Sequence, residues 1–112
     1  MKKIEAIIRP EKLEAVQKGL AEYAILGMTV SEVSGRGRQH GIILQWRAGE
    51  YRVELLPKLK IEMVVLDEDV APALNVIVSS ARTGGRGDGK VFVSPIENAV
   101  RIRTGDEGAN AI

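Results

Sequence analysis

The pattern of the 112-residue chain predicts an α+β sandwich in the order β-α-β-β-α-β, the ferredoxin-like arrangement, with two helices against one face of an antiparallel sheet. Three observations predict it. Four short stretches alternate or run apolar as strands do, two stretches carry apolar residues at helical spacing, and Gly, Pro or acidic residues punctuate most of the junctions.

Lys3 to Ile8 alternates and then becomes continuously apolar, as a strand entering a buried sheet does. Pro10 is placed to open a helix, and Leu13, Val16, Leu20 and Ala24 recur on one side of it. Glu11, Lys12, Glu14, Lys18 and Glu22 occupy the other side, and Gly27 ends the element. Met28 to Val33 resumes a strand pattern, closed by Gly35-Arg36-Gly37. From Arg38 to Leu56 no single period holds. Between the second and third strands this stretch is far longer than the usual hairpin connection of about two to five residues, so a protruding loop is expected over about 37–56.

Lys60 to Leu66 reads as the third strand. Asp67, Glu68 or Asp69 is placed to cap a second helix through Ala71, Leu74, Ile77 and Val78, ending near Ala81. Lys90 to Ser94 reads as the fourth strand, which Pro95 stops. Val100 to Arg103 is a short alternating segment, and Thr104 to Ile112 a polar, Gly-rich tail. Such a sheet leaves one face bare. Apolar runs such as Ile61 to Leu66 suggest that other subunits cover it.

Composition narrows the function. The chain lacks cysteine, which excludes disulfides and thiolate metal sites and suits a reducing compartment. No apolar run approaches the length of a membrane span or a signal peptide, so a cytoplasmic protein without membrane insertion is expected. A net charge of +1 is too small for a general polyanion binder, and only Phe92 offers a strand aromatic on which a base could stack. Nucleic acid is therefore not an expected partner. With one histidine and no convincing acid/base pair, the chain is not expected to be an enzyme.

The strongest chemical signal is Thr83-Gly84-Gly85-Arg86-Gly87-Asp88-Gly89-Lys90. Four glycines and two cations leave backbone N–H groups beside positive charge, the chemistry of an anion cradle. Gly84 and Gly89-Lys90 have the spacing of a phosphate-binding P-loop, but Val91 stands where the metal-holding Ser or Thr belongs. The order is also helix, loop, strand rather than strand, loop, helix. The loop is thus either a cradle acting through its own amides, Lys90 and charges brought from elsewhere, or a flexible connection. Asp88 can bond its own turn or serve chemistry. His40 is read as a solvated loop residue, with base or ligand as the alternative, while Trp46 and Tyr51 are either partner anchors or packing within the long loop.

Three segments together go further: Gly35-Arg36-Gly37-Arg38-Gln39, Thr83 to Lys90, and Arg101-Ile102-Arg103-Thr104-Gly105. With Glu50-Tyr51 in the long loop and Leu56-Pro57-Lys58 at its base, the chain closely resembles the PII nitrogen-regulatory signal proteins over essentially its whole length. That resemblance implies a homotrimer with sheets lining a central barrel and three nucleotide sites in the clefts between subunits. Gly37, Arg38, Gly87, Asp88, Gly89 and Lys90 would hold the phosphates of ATP or ADP, with Arg101 and Arg103 entering from the neighbouring subunit. Thr29 and Val64 would border the adenine. Gln39 would ligate Mg2+, which would chelate 2-oxoglutarate, with Lys58, Gly41 and Gly87 completing that effector's site.

The resemblance also implies a nitrogen-regulating signal transducer whose long loop controls partners such as an ammonium channel or the enzymes controlling glutamine synthetase. Tyr51 matches a position that is uridylylated in the family. The sequence departs from the family at Ile42-Ile43-Leu44, unusually apolar there, at Trp46 and at Gly85-Arg86; Gly49 stands beside Tyr51 where some relatives carry a phosphorylated serine. The alternatives are a sensor of a different small anion and a small phosphate-handling enzyme on the same fold.

Overall fold

The computed structural model describes residues 1–37, 42–46, 49–53 and 55–112, the two short central stretches by their strand pairing alone. The elements are β1 (Lys2–Ile8), α1 (Leu13–Ala21), β2 (Thr29–Gly35), β3 (Ile42–Trp46), β4 (Gly49–Val53), β5 (Leu56–Val65), α2 (Val70–Ala81) and β6 (Gly89–Pro95). Four strands form one sheet in the order β2-β5-β1-β6, every neighbour antiparallel. The ferredoxin-like expectation is met.

The core lies between this sheet and the helix pair. Strand alternation sends Ile4, Ala6 and Ile8 of β1 and Ile61, Met63 and Val65 of β5 to the helix side, all buried. They meet Val16 and Leu20 of α1 and Ala73, Val76, Ile77 and Ala81 of α2. Each large apolar side chain fully removed from water contributes roughly 1.5–3 kcal/mol, so this layer holds the fold. Gly19 lets the helices close on one another, because a β-carbon there would lie 2.5 Å from Val76 Cγ1.

The other sheet face differs from the apolar surface expected. Ile61 to Leu66 is not one-sided: Glu62 and Val64 point away from the helices. Lys60 Nζ lies 3.3 Å from Glu5 and 3.5 Å from Glu62, and Lys3 lies 3.8 Å from Glu62. Charges therefore cross the middle of this face, with Phe92 exposed beside them.

Several boundaries shift for physical reasons. Helix α1 stops at Ala21 rather than near Gly27, and Ala24 adopts a left-handed φ of 59° that reverses the chain and buries Ile25. A short 3-10 turn, Pro10–Lys12, precedes α1. None of Asp67, Glu68 and Asp69 caps α2 through its side chain; they form a 3-10 turn, and the Asp67 carboxylate instead accepts the Met1 ammonium at 2.9 Å. That contact, first by hydrogen bonding and then by charge, draws the Asp67 carboxyl below its ordinary value.

Strand β5 begins at Leu56, not Lys60, because Leu56 to Leu59 continue the ladder with β2, Pro57 standing opposite Ser34. Val100 to Arg103 is a turn rather than a strand, closed by bonds between Arg101 and Asp106 and between Gly105 and Arg101. The tail that follows folds into a 3-10 turn, Gly108–Ala111. Within the long loop, β3 and β4 pair as an antiparallel hairpin, Leu44 opposite Tyr51 and Trp46 opposite Gly49.

Register decides what the fold brings together. Ile8 pairs with both Leu59 and Gly89, and Gly35 pairs with Leu56. One end of the sheet therefore gathers the close of β1, the close of β2, the opening of β5 and the glycine loop, and the β3–β4 hairpin is inserted at that same end.

Candidate functional site

The loop from Arg82 to Asp88 joins α2 to β6, the helix-to-strand order expected. It is organised rather than a flexible connection. Asp88 Oδ2 accepts the amides of Thr83 and Gly84, each at 2.9 Å, while Oδ1 accepts the Thr83 hydroxyl and Arg9 Nε, the latter at 3.0 Å. Thr83 Oγ1 in turn accepts the Gly85 amide at 3.1 Å. Hydrogen bonds from Thr83 first, then those from Arg9 and Gly84, hold the Asp88 carboxyl well below the usual carboxylate range. Of the two readings of Asp88, its carboxylate takes the structural one, facing its own turn.

Two further clamps act on the same loop. Arg9 Nη2 donates to the Arg86 carbonyl at 2.7 Å, and Lys58 Nζ donates to the Gly87 carbonyl. Lys58 is only 9% exposed. Burial, and next the Arg9 charge, push its ammonium below the ordinary lysine value, Glu11 and Asp88 acting the other way. Gly84, Gly87 and Gly89 hold φ of 90°, 92° and 104°, a region that side chains rarely adopt. With the amides of Thr83, Gly84 and Gly85 satisfied inside the loop, those of Arg86 and Gly87 have no acceptor among the described residues.

A recess of about 650 Å³ opens beside this loop. Gly35, Arg36 and Gly37 line it from the end of β2, Lys58 and Lys60 from β5, Gly87 from the glycine loop, Gly89, Lys90 and Phe92 from β6, and Glu5 and Ile7 from β1. Because Lys60 is neutralised by Glu5 and Glu62, the remaining positive charge lining the recess comes from Arg36, Lys58 and Lys90. Lys60's ammonium is correspondingly held protonated above its usual value, by Glu5 first and Glu62 second. Of the residues singled out in the sequence, Gly37, Lys58, Gly87, Gly89 and Lys90 thus share one recess, and Asp88 stands behind it.

Thr29 and Val64 share a different recess, of about 600 Å³, with Met28, Met63 and the C-terminal Ile112. Arg101 and Arg103 lie in the C-terminal turn and line neither recess within this chain; Arg101 pairs with Asp106 at 3.4 Å, and Arg103 is exposed. Arg38, Gln39, His40 and Gly41 lie outside the described residues, as do the side chains of Trp46, Glu50 and Tyr51. Among the described residues no group of three His, Asp or Glu is placed to hold a metal.

Arg9 is the residue that sequence reasoning missed. Its partners lie 77 and 79 positions away, and nothing local in Arg9-Pro10 announces them. The available signal was indirect: an arginine closing a buried strand, in a fold whose β1 must pair with the strand after the glycine loop.

Comparison with known proteins is consistent along the whole chain. A family model described as nitrogen regulatory protein P-II matches residues 1–106. Nitrogen regulatory protein P-II 2 of Methanothermobacter thermautotrophicus is 56% identical over 112 residues, covering 100% of this chain and 97% of that protein. The nitrogen regulatory proteins P-II of Microchaete diplosiphon and of a Synechocystis species are each 54% identical, with 100% of both chains covered.

Proposed function

The chain belongs to the nitrogen regulatory protein P-II family, and on that premise we propose that it is a nucleotide-dependent sensor that binds ATP or ADP at the glycine loop. P-II proteins are regulators, so the reading requires no catalytic base in the chain. The observation that carries the reading is the prefolded loop whose Arg86 and Gly87 amides have no acceptor among the described residues, beside a recess lined by Gly37, Lys58, Gly87 and Lys90. Amides and ammonium groups in a partly dry cleft suit phosphate oxygens, and such charge-assisted bonds contribute about 1.5–3 kcal/mol each.

In this reading three copies assemble, and Arg101 and Arg103 of one copy complete the cleft of the next. Two features support it: neither arginine reaches the recess within its own chain, and Ile102 between them is 100% exposed beside an exposed Val100. Arg38 joins Lys90 at the phosphates, and Thr29 and Val64 border the adenine. Gln39 and the phosphates hold Mg2+, which supplies the coordination positions for 2-oxoglutarate. Lys58 and the backbone at Gly41 and Gly87 receive that effector.

Signal output follows from placement. The β3–β4 hairpin, within the segment 37–56, is inserted in the chain between Gly37, which lines the recess, and Leu56, two residues before Lys58, which also lines it. Ligands that bind Gln39 and Lys58 bias the hairpin because they contact its roots differently in different nucleotide states. Partner proteins of nitrogen metabolism, an ammonium channel or the enzymes controlling glutamine synthetase, would read that bias. Uridylylation of Tyr51 would add a bulky anion to the same surface. No helix among the described residues is long and apolar enough to cross a membrane, and the proposed setting is the cytoplasm.

Titration calorimetry with MgATP, with and without 2-oxoglutarate, tests the reading. ATP binding, with 2-oxoglutarate binding only in its presence, is the expected result. Binding of ATP alone would keep the cleft and remove nitrogen sensing in favour of a different anionic signal. Intact-mass analysis after incubation with a uridylyltransferase and UTP is expected to show a shift that Tyr51→Phe abolishes.

A further inference from the structure

A peptide loop can present its amides to an anion only if its carbonyls are held the other way. Carbonyl and amide of one trans peptide unit point in opposite directions, so whatever grips the Arg86 carbonyl also aims the Gly87 N–H. The group that grips it is Arg9, through Nη2 at 2.7 Å. The same guanidinium places Nε on Asp88 at 3.0 Å, and Asp88 gathers the Thr83 and Gly84 amides at 2.9 Å. One side chain, rooted where β1 ends, thereby fixes the loop's entry through Asp88 and its crest through Arg86.

We propose that Arg9 is the positioning residue of the anion cradle: it fixes the Gly87 amide in its binding orientation by holding the Asp88 carboxylate and the Arg86 carbonyl at once. The inference rests on the cradle reading above. It requires arginine specifically, because a planar guanidinium reaches two acceptors in a fixed fork, whereas an ammonium on a lysine stem is a single point charge. Arg9 and Asp88 are each about three-quarters shielded from solvent, with side chains 27% and 24% exposed, so their pairing is not the loosely held surface kind.

The test uses the full-length protein with Arg9→Lys, Arg9→Gln, Asp88→Asn and the double variant Arg9→Gln/Asp88→Asn, reading MgATP affinity by calorimetry and loop amides by NMR without nucleotide. Arg9→Gln is expected to release the Thr83 and Gly84 amides and to weaken ATP binding about tenfold, the size of one charge-assisted bond. Arg9→Lys should keep those amides protected, since Asp88 remains paired, yet still weaken ATP by several-fold, a split that a merely structural ion pair would not give. The double variant should bind no more weakly than Arg9→Gln, because Arg9→Gln already releases the amides that Asp88 holds.

Additive losses with unchanged loop amides would overturn the proposal by showing that Arg9 meets the ligand itself. Unchanged affinity in both Arg9 variants would overturn it too. If Arg9→Gln fails to fold, Arg9→Lys and Asp88→Asn carry the same comparison. Failure of the parent protein to bind ATP would overturn the cradle reading and this role with it, whereas released amides in Arg9→Gln would still establish Arg9 as the loop's fastener.

Discussion

A β-carbon on Gly89 would stand 1.7 Å from the carbonyl oxygen of Ile7. The oxygen is backbone of β1 and the β-carbon would be fixed directly to the backbone at the start of β6, so no flexible side chain can swing aside. The φ of 104° at Gly89 adds a conformation that other residues adopt only under strain. Gly89→Ala is therefore expected to part the two strands where the recess forms, costing about 2 kcal/mol or more and weakening ATP binding with it. Urea unfolding checks the first part; a midpoint equal to that of the parent would mean that β6 can begin one residue later without loss.

Gly19 poses the opposite question, whether helix propensity or packing wins. Alanine in a helix interior gains about 1 kcal/mol over glycine. The added methyl would meet Val76 Cγ1 at 2.5 Å and the Ser80 hydroxyl at 3.3 Å, and overpacking costs about 1–3 kcal/mol. Packing is expected to win, giving a net loss of about 1 kcal/mol in Gly19→Ala, the difference of those two effects. Adding Val76→Ala should recover part of that loss despite removing core volume. A Gly19→Ala protein more stable than its parent would show that the helices can move apart freely.

The sheet and both helices were legible because their signals are local. Ile4, Ala6 and Ile8 alternate in the text as they do in space, and Val16 with Leu20 or Ala73 with Ile77 are one turn apart. Boundaries set by distant pairing were not legible. Leu56 to Leu59 become strand only because β2 lies alongside, and the turn at Arg101 is made by Asp106 closing on it. The glycine loop was readable as a cradle from its composition, but its order comes from Arg9, 77 and 79 positions from the residues that it holds. Charge on the open sheet face was hidden for a related reason: Glu62 interrupts an apolar run, and its partners Lys3 and Lys60 appear only once strands are in register.

Acid should reveal how much Asp88 holds. Its folded-state pKa lies below the unfolded carboxylate value, so its contribution is complete above that unfolded value, about 3.9, and is lost as pH falls through the folded one. The stability difference between the parent and Asp88→Asn is thus expected to be constant from about pH 5 to 8 and to shrink only in stronger acid, as the carboxylate itself becomes protonated. Unfolding midpoints across that range measure it. A difference that closes between pH 7 and 5 would point to another titrating group.

If the cleft is completed by a second copy, Lys90 and Arg103 serve one site from two chains. Loss of either charge-assisted contact should weaken ATP binding by about ten- to a hundredfold. Each single variant, Lys90→Ala or Arg103→Ala, alters every site in its own homo-oligomer. Mixing the two after mild dissociation and reassembly creates a new possibility: a site that takes its Lys90 side from one variant and its Arg103 side from the other. Some of these sites keep both native residues, so the mixture is expected to regain a fraction of high-affinity ATP sites that neither variant has alone. Within one chain the two residues line no common recess, which is why the recovered fraction is the decisive quantity. Calorimetry before and after exchange gives it, and no recovery in a mixture shown by mass spectrometry to have exchanged subunits would place the two residues at separate sites or on one chain.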